Sequence, residues 1–270
     1  MPSGDRLNAL TNPLMPNLNV PIAPSSLTET STTVLHSAIA EELAVDIIEG
    51  RWKPGDSTTL NDIQDRFKIS RTVARETAHS LESAHAIIIK KRVGLIAQPL
   101  SEWLSLDTKV ITWKLHSNQR KQELVALTEL RLAVEPFAAA QAALRAPVET
   151  RALMPVLAME MHKNSDAGNL DEFQQLDLRF HNEILQHSGN DLFSSLSSLV
   201  DIIITGRSEK GGDQVQPTKE LLLAHEDVAE AIWESNPDVA RKAMTEIVTE
   251  VSTPTDDEGD NGDNADENGK

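Results

Sequence analysis

From residue 35 to residue 48, apolar side chains return every four positions: Leu35, Ile39, Leu43 and Ile47, with Ala40, Ala44 and Ile48 beside them. This spacing predicts one helix with a buried face. Gly50 and the run Lys53-Pro54-Gly55-Asp56 predict its end and a turn. Thr59 and Asp62 then stand at capping-box spacing before a short helix whose apolar side is Leu60, Ile63 and Phe67. Ser70 predicts the cap of a third helix, from Arg71 to about Ala84. Val73, Ala74, Thr77, Ala78 and Leu81 face inward on it, and Arg71, Thr72, Arg75 and His79 face outward. Two β-rich runs, 87–90 and 95–97, flank Lys91-Arg92-Val93-Gly94 and read as a hairpin with a basic tip and a turn glycine.

Past residue 120 the period is helical throughout. Leu124, Leu127, Leu130 and Val134 form one apolar face, Leu176, Phe180, Ile184 and Leu185 another. Val228, Ala231, Ile232, Ala240, Met244 and Ile247 complete the set. Short polar breaks between them predict antiparallel helices around one core. The fold class expected is mainly α: a winged helix-turn-helix over 32–100, a connecting segment over 101–119, and an all-helical bundle over 120–252. Residues 1–31, with five prolines and no sustained period, and residues 253–270 are expected to be disordered tails.

Charge sharpens this division. The 270 residues carry a net charge of −17, yet residues 33–100 hold nine basic and nine acidic side chains. Residues 254–270 hold seven acids and one base. A neutral module beside an acidic one suggests different partners for the two. The absence of cysteine excludes a disulfide scaffold, a thiolate metal site and a cysteine nucleophile. No run approaches the ~18 apolar residues of a membrane span, so no membrane partner and a cytoplasmic protein are expected.

The first module has the parts that duplex reading requires. Arg71 and Arg75 lie one turn apart at the start of a helix, where one can meet a guanine edge while the other meets phosphate. Lys90, Lys91 and Arg92 on the wing can follow the neighbouring backbone. In the second module Asp177 and His181 project from one helix face, and His225 begins a helix some forty residues on. Two imidazoles and a carboxylate suit a divalent ion such as zinc, with open positions. The same spacing also suits an i,i+4 ion pair with His225 as a cap residue. Arg131 offers a fork for a ligand carboxylate.

Several runs resemble the GntR family of bacterial transcription regulators: Gly50-Arg-Trp-Lys-Pro-Gly-Asp56, Ile69-Ser-Arg-Thr-Val-Ala-Arg-Glu-Thr77, Leu81 and Arg92-Val-Gly94. Others resemble the FCD effector domain of its FadR-like subgroup: Glu129-Leu-Arg-Leu-Ala-Val-Glu-Pro136, Asp177-Leu-Arg-Phe-His181, Ser188-Gly-Asn190 and His225-Glu-Asp-Val-Ala-Glu-Ala-Ile232. Trp103, Leu106-Asp-Thr108, Trp113 and Thr128-Glu-Leu-Arg131 look most like repressors of gluconate and galactonate catabolism. The resemblance implies a homodimeric repressor, not an enzyme, released from operator DNA by a sugar-acid carboxylate such as gluconate. Its DNA contacts would be Ser70, Arg71, Thr72, Arg75, Arg92 and Gly94, and its effector contacts Arg131, Asp177, His181 and His225. In metal-binding members a third histidine follows His225 by 22 residues; here Ile247 stands there. Asp177, His181 and His225 then either hold a metal with effector or water completing the shell, or form a metal-free polar pocket. The family's Glu-Arg pair at the second helix is replaced by Leu60-Asn61. Lys68 and His85 occupy places where the family turns through glycine. Two rival readings are a metal-dependent enzyme using Asp177, His181 and His225 on a small hydroxy acid, and a regulator of the same fold sensing another carboxylate.

Overall fold

The computed structural model describes residues 25–206 and 216–250, with side chains for 34–205 and 216–250. The segment expected as an acidic tail lies outside them, as does most of the segment expected as an N-terminal tail. Helix α1, Ser25–Ile48, begins within the latter. Gly50, with φ of +77°, and the Lys53–Asp56 turn follow it.

The next two helices are set by their caps. In α2, Leu60–Phe67, Thr59 Oγ1 accepts from Asp62 N–H at 3.2 Å and Asp62 Oδ2 accepts from Thr59 N–H at 2.9 Å, the reciprocal pair expected. In α3, Arg71–Ser83, Ser70 Oγ accepts from Val73 N–H at 3.3 Å. Val73, Ala74, Thr77, Ala78 and Leu81 are buried, as their spacing predicts. Lys68 turns the chain between these helices with φ of 54°, and His85 after α3 with φ of 61°. Both are thus left-handed where glycine would be unstrained, a cost of about 1 kcal/mol each.

Strands β1 (Ser57–Thr58), β2 (Ile87–Lys90) and β3 (Gly94–Ala97) form an antiparallel sheet in the order β1-β3-β2, with Thr58 opposite Leu95 and Lys90 opposite Gly94. β1 has no sequence signature: two residues are too few for a period. Gly94 is not the residue that turns the hairpin. Arg92 does so, with φ of 67°, and Gly94 opens β3 with φ of +117°. A Cβ there would lie 2.3 Å from the Thr58 carbonyl oxygen, so the glycine lets β1 approach. Ile39, Leu43, Ile47, Val73, Leu81, Ile87 and Leu95 share one core; Leu35 lies outside it, at 45% exposure.

The connecting segment contains a 3-10 turn, Leu100–Glu102, and helix α4, Thr108–Leu115. Its two faces go to different places. Trp103, Val110 and Trp113 join the core of the first module, and Ile111 and Leu115 join a cluster with Leu127, Leu199 and Ile203. The bundle then comprises α5 (Arg120–Arg145), α6 (Val148–Asp166), α7 (Leu170–Gln186), a single turn α8 (Asp191–Ser194), α9 (Ser197–Gly206), α10 (Lys219–Trp233) and α11 (Pro237–Glu250). α11 packs on α5 and α10, α6 on α10 and α7, and α9 on α7. Phe180, Ile184, Met154, Val228, Ile232 and Met244 fill the centre. Among the described residues no helix is long and apolar enough to cross a membrane.

Candidate functional site

Two sites stand out. The first is a cleft of about 550 Å³ between α3 and the β2–β3 hairpin, lined among others by Arg71, Arg75, His79, Lys90, Arg92 and Gly94. The helix lays down its inner residues on the core, which leaves Arg71, Thr72 and Arg75 exposed on the other side. Lys90 and Arg92 face them from the wing. Ser70 spends one lone pair on the cap; its hydroxyl proton remains available to a phosphate. Asn61 lines the same cleft from the first turn of α2. The cleft therefore gathers Arg71, Arg75, Arg92 and Gly94 of the expected DNA contacts, with Ser70 and Thr72 on its helix start. His79, on the outward face that its spacing predicts, lines the cleft as well, and Asn61 is a contributor absent from the expected contacts.

The second site is a buried polar cluster where α5, α7 and α10 meet. His181, Arg131, Glu135 and His225 are all at most 3% exposed. His225 Nε2 lies 3.1 Å from Asp177 Oδ1, and His181 Nε2 lies 3.4 Å from the same oxygen. His225 sits in the second turn of α10, which starts at Lys219 under a Thr218 cap; it does not begin the helix. The ring of Phe180 stands edge-on to both imidazoles, with centroids 5.9 and 5.2 Å away, and fixes their planes. Arg131 is not a free fork. Its Nε and Nη2 donate to the two carboxylate oxygens of Glu135, one turn along α5. Glu135 was legible as a partner only through its i,i+4 spacing from Arg131. On its other side Glu135 Oε2 lies 2.6 Å from His181 Nδ1, at an angle too poor for a hydrogen bond.

Burial alone would push the Glu135 carboxyl up, but the charges of Arg131 and His181 hold it down to about 2. Asp177 goes the same way, burial being outweighed by hydrogen bonds from His181 and His225. Burial would lower His181, but Glu135 and Asp177 raise it to about 9.

The tautomers test whether a metal fits. His225 Nδ1 lies 2.8 Å from the Leu221 carbonyl oxygen, which can only accept, so that nitrogen carries a hydrogen. The Nε2 of each ring then faces a carboxylate oxygen that also cannot donate, so each requires a proton or a cation there. The three ligand atoms lie within 4.8 Å of one another, and an Nδ1–H anchored to a carbonyl, as His225 has it, is the usual outer support of a metal-bound histidine. Asp177, His181 and His225 therefore fit a divalent ion on one face. Ile247, buried at 1% exposure, gives no fourth ligand. Arg131 Nη2 lies 3.4 Å from His181 Nε2 and donates to it only when that nitrogen is unprotonated. A cavity of only about 10 Å³ touches Arg131 and Glu135, walled by Leu196, Leu199, Val200 and Ile203.

Comparison with known proteins assigns a family model to each module. Residues 35–96 match the model of bacterial regulatory proteins of the gntR family, and residues 126–250 match the FCD domain. The chain is 27% identical over 216 residues to the uncharacterized HTH-type transcriptional regulator YieP of Escherichia coli, covering 79% of this chain and 92% of that one. It is 27% identical over 210 residues to the galactonate operon transcriptional repressor of the same organism, covering 76% and 90%. Among solved structures, a GntR protein of Streptococcus agalactiae aligns with 22% identity and a TM-score of 0.43 over 80% of this chain and 98% of that one. Both Escherichia coli relatives are named as regulators of transcription. With a winged helix-turn-helix cleft followed by an FCD bundle, the chain belongs to the GntR family of transcription regulators.

Proposed function

We propose that this regulator represses sugar-acid catabolic genes as a cytoplasmic homodimer, and that a carboxylate effector releases it from its operator. The buried Arg131–Glu135–His181–Asp177–His225 cluster carries this reading, since such a set recognises hydroxyls and a carboxylate together. The likeness to a galactonate operon repressor supports the choice of ligand. A single head covers one half-site, so two copies on a palindrome are needed for useful specificity. The effector enters from the α9 side, where the cavity must widen, and in doing so exchanges the Arg131–Glu135 pair for its own carboxylate. Release follows only if that widened form disfavours the DNA-bound spacing of the heads, a coupling of about 1–3 kcal/mol. A divalent ion held by Asp177, His181 and His225 would supply a Lewis-acid anchor for effector oxygens. Gluconate, galactonate and other hydroxy acids, screened by thermal shift with and without chelator, test the reading; no shift with any sugar acid removes it.

Arg71→Ala and Arg75→Ala are each expected to weaken duplex binding by about five- to a hundredfold, as loss of a base or phosphate contact costs roughly 1–3 kcal/mol. Gel shifts at fixed salt measure this, and unchanged binding in both variants takes the cleft out of DNA recognition. Metal binding should tighten with pH. A ligating His181 must lose the proton it holds up to about pH 9, so Ni(II) affinity by calorimetry should rise by about tenfold per unit between pH 7 and 9. A flat profile would show that His181 is not a ligand.

A further inference from the structure

The head neutralises its arginines on one side and leaves them bare on the other. Arg51 is paired with Asp46 and Glu49, and Arg66 with Glu42 and Asp46. Arg71, Arg75, Lys90 and Arg92, around the cleft, are exposed, and among the described residues none of the four takes part in an ion pair. The chain itself contains a complementary polyanion. Residues 254–270 have a net charge of −6.

The described chain that precedes this segment ends at the head-facing end of the bundle. Glu250, the last residue of α11, meets Thr218 before α10. Along α10, His225 joins Asp177 and, through His181, Arg131 of α5. Nearer the start of α5, Glu123 holds Lys114 of α4 at 3.1 Å, and α4 is packed into the head. Twenty residues follow Glu250. At roughly 3.3–3.6 Å per residue their full reach is about 65–70 Å, several times the radius of a domain of this size.

We propose that residues 254–270 lie across the Arg71–Arg75–Lys90–Arg92 cleft in the absence of DNA and compete with phosphate for it. The proposal rests on the reading of that cleft as the DNA surface. A tethered competitor acts at an effective concentration around the millimolar range. It lowers affinity for every duplex by the same factor. Weak non-specific binding, held by phosphate contacts alone, is then lost at working concentrations, while an operator that adds base contacts still binds.

The test uses the full chain with the seven acids made neutral (D256N, D257N, E258Q, D260N, D263N, D266N, E267Q). A random-sequence duplex is expected to bind about tenfold more tightly at 50 mM salt, the gap closing to about twofold or less at 0.5 M. The chain has no cysteine, so Asn264→Cys accepts a single spin label. That label is expected to broaden amide signals of α3 and the hairpin but not of α6, and added duplex should abolish the broadening. Equal affinities at low salt overturn the proposal. So does tighter binding without broadening at the head, which is bulk repulsion only, and so does broadening confined to the bundle. If instead Arg71→Ala with Arg75→Ala leaves duplex binding intact, the cleft reading has failed, a result separable from failure of the tail.

Discussion

Glu135→Ala is expected to cost the folded chain about 3–5 kcal/mol, because it leaves the Arg131 guanidinium buried without its counter-charge. In thermal unfolding, at roughly 2–4 °C per kcal/mol, the midpoint should fall by about 10 °C or more. Arg131→Ala should do comparable damage by stranding the carboxylate, and its loss of effector response cannot then be read as lost ligand contact alone. Arg131→Met combined with Glu135→Leu should recover most of the stability, since no charge is left to desolvate. A loss under about 1 kcal/mol for Glu135→Ala would mean that water already reaches the pair. The same cluster sets a pH window. Glu135 is depressed from 4.5 to about 2, so its contribution is complete above 4.5 and is lost as pH falls through 2. His181 is raised from 6.5 to about 9, so its contribution is complete below 6.5 and is lost as pH rises through 9. The metal-free chain should therefore be most stable between these limits, with both slopes reduced in Glu135→Gln.

Gly94→Val is expected to cost the head about 3 kcal/mol or more, combining strain at φ of +117° with a Cβ placed 2.3 Å from the Thr58 carbonyl. The obstacle is backbone, so it cannot rotate aside. β1 must separate from β3, and the wing loses the strand that fixes its angle to α3. Hydrogen exchange at Leu95, whose residue pairs with Thr58, should speed up, and duplex affinity should fall together with it. If exchange rises while DNA binding holds, the wing is not part of the reading surface. Gly94→Ala should move both readouts in the same direction by less.

What was legible in the sequence is what neighbouring residues decide. The Thr59–Asp62 box, the Ser70 cap and the inner face of α3 each depend on groups within four positions, and each stands where its spacing put it. Lys68 and His85 were legible as strained because they replace an expected glycine, and both are left-handed. β1 was not legible, because two residues pair only after β3 is in place. The start of α10 lies six residues before the expected His225, because Thr218 caps it. The cluster was half legible. Spacing leaves Asp177, His181 and His225 open between an ion pair and a site, the resemblance joins them, and they do lie together. The reading of Arg131 as a fork for a ligand carboxylate leaves out Glu135. The commitment of Arg131 to Glu135 follows from burial of that face of α5, which is decided by α7 and α10 packing on it.

Helix α4 bears on how the molecule can be divided. A fragment cut at residue 100, where the β-rich runs end, would strip Trp103, Val110 and Trp113 from the interior of the head. The other piece, beginning at residue 120, would expose Leu127, Leu199 and Ile203 where Ile111 and Leu115 now cover them. Neither half closes on its own at the boundary that amino-acid pattern suggests. The stretch between them is a shared keystone, and melting of either portion should loosen the other.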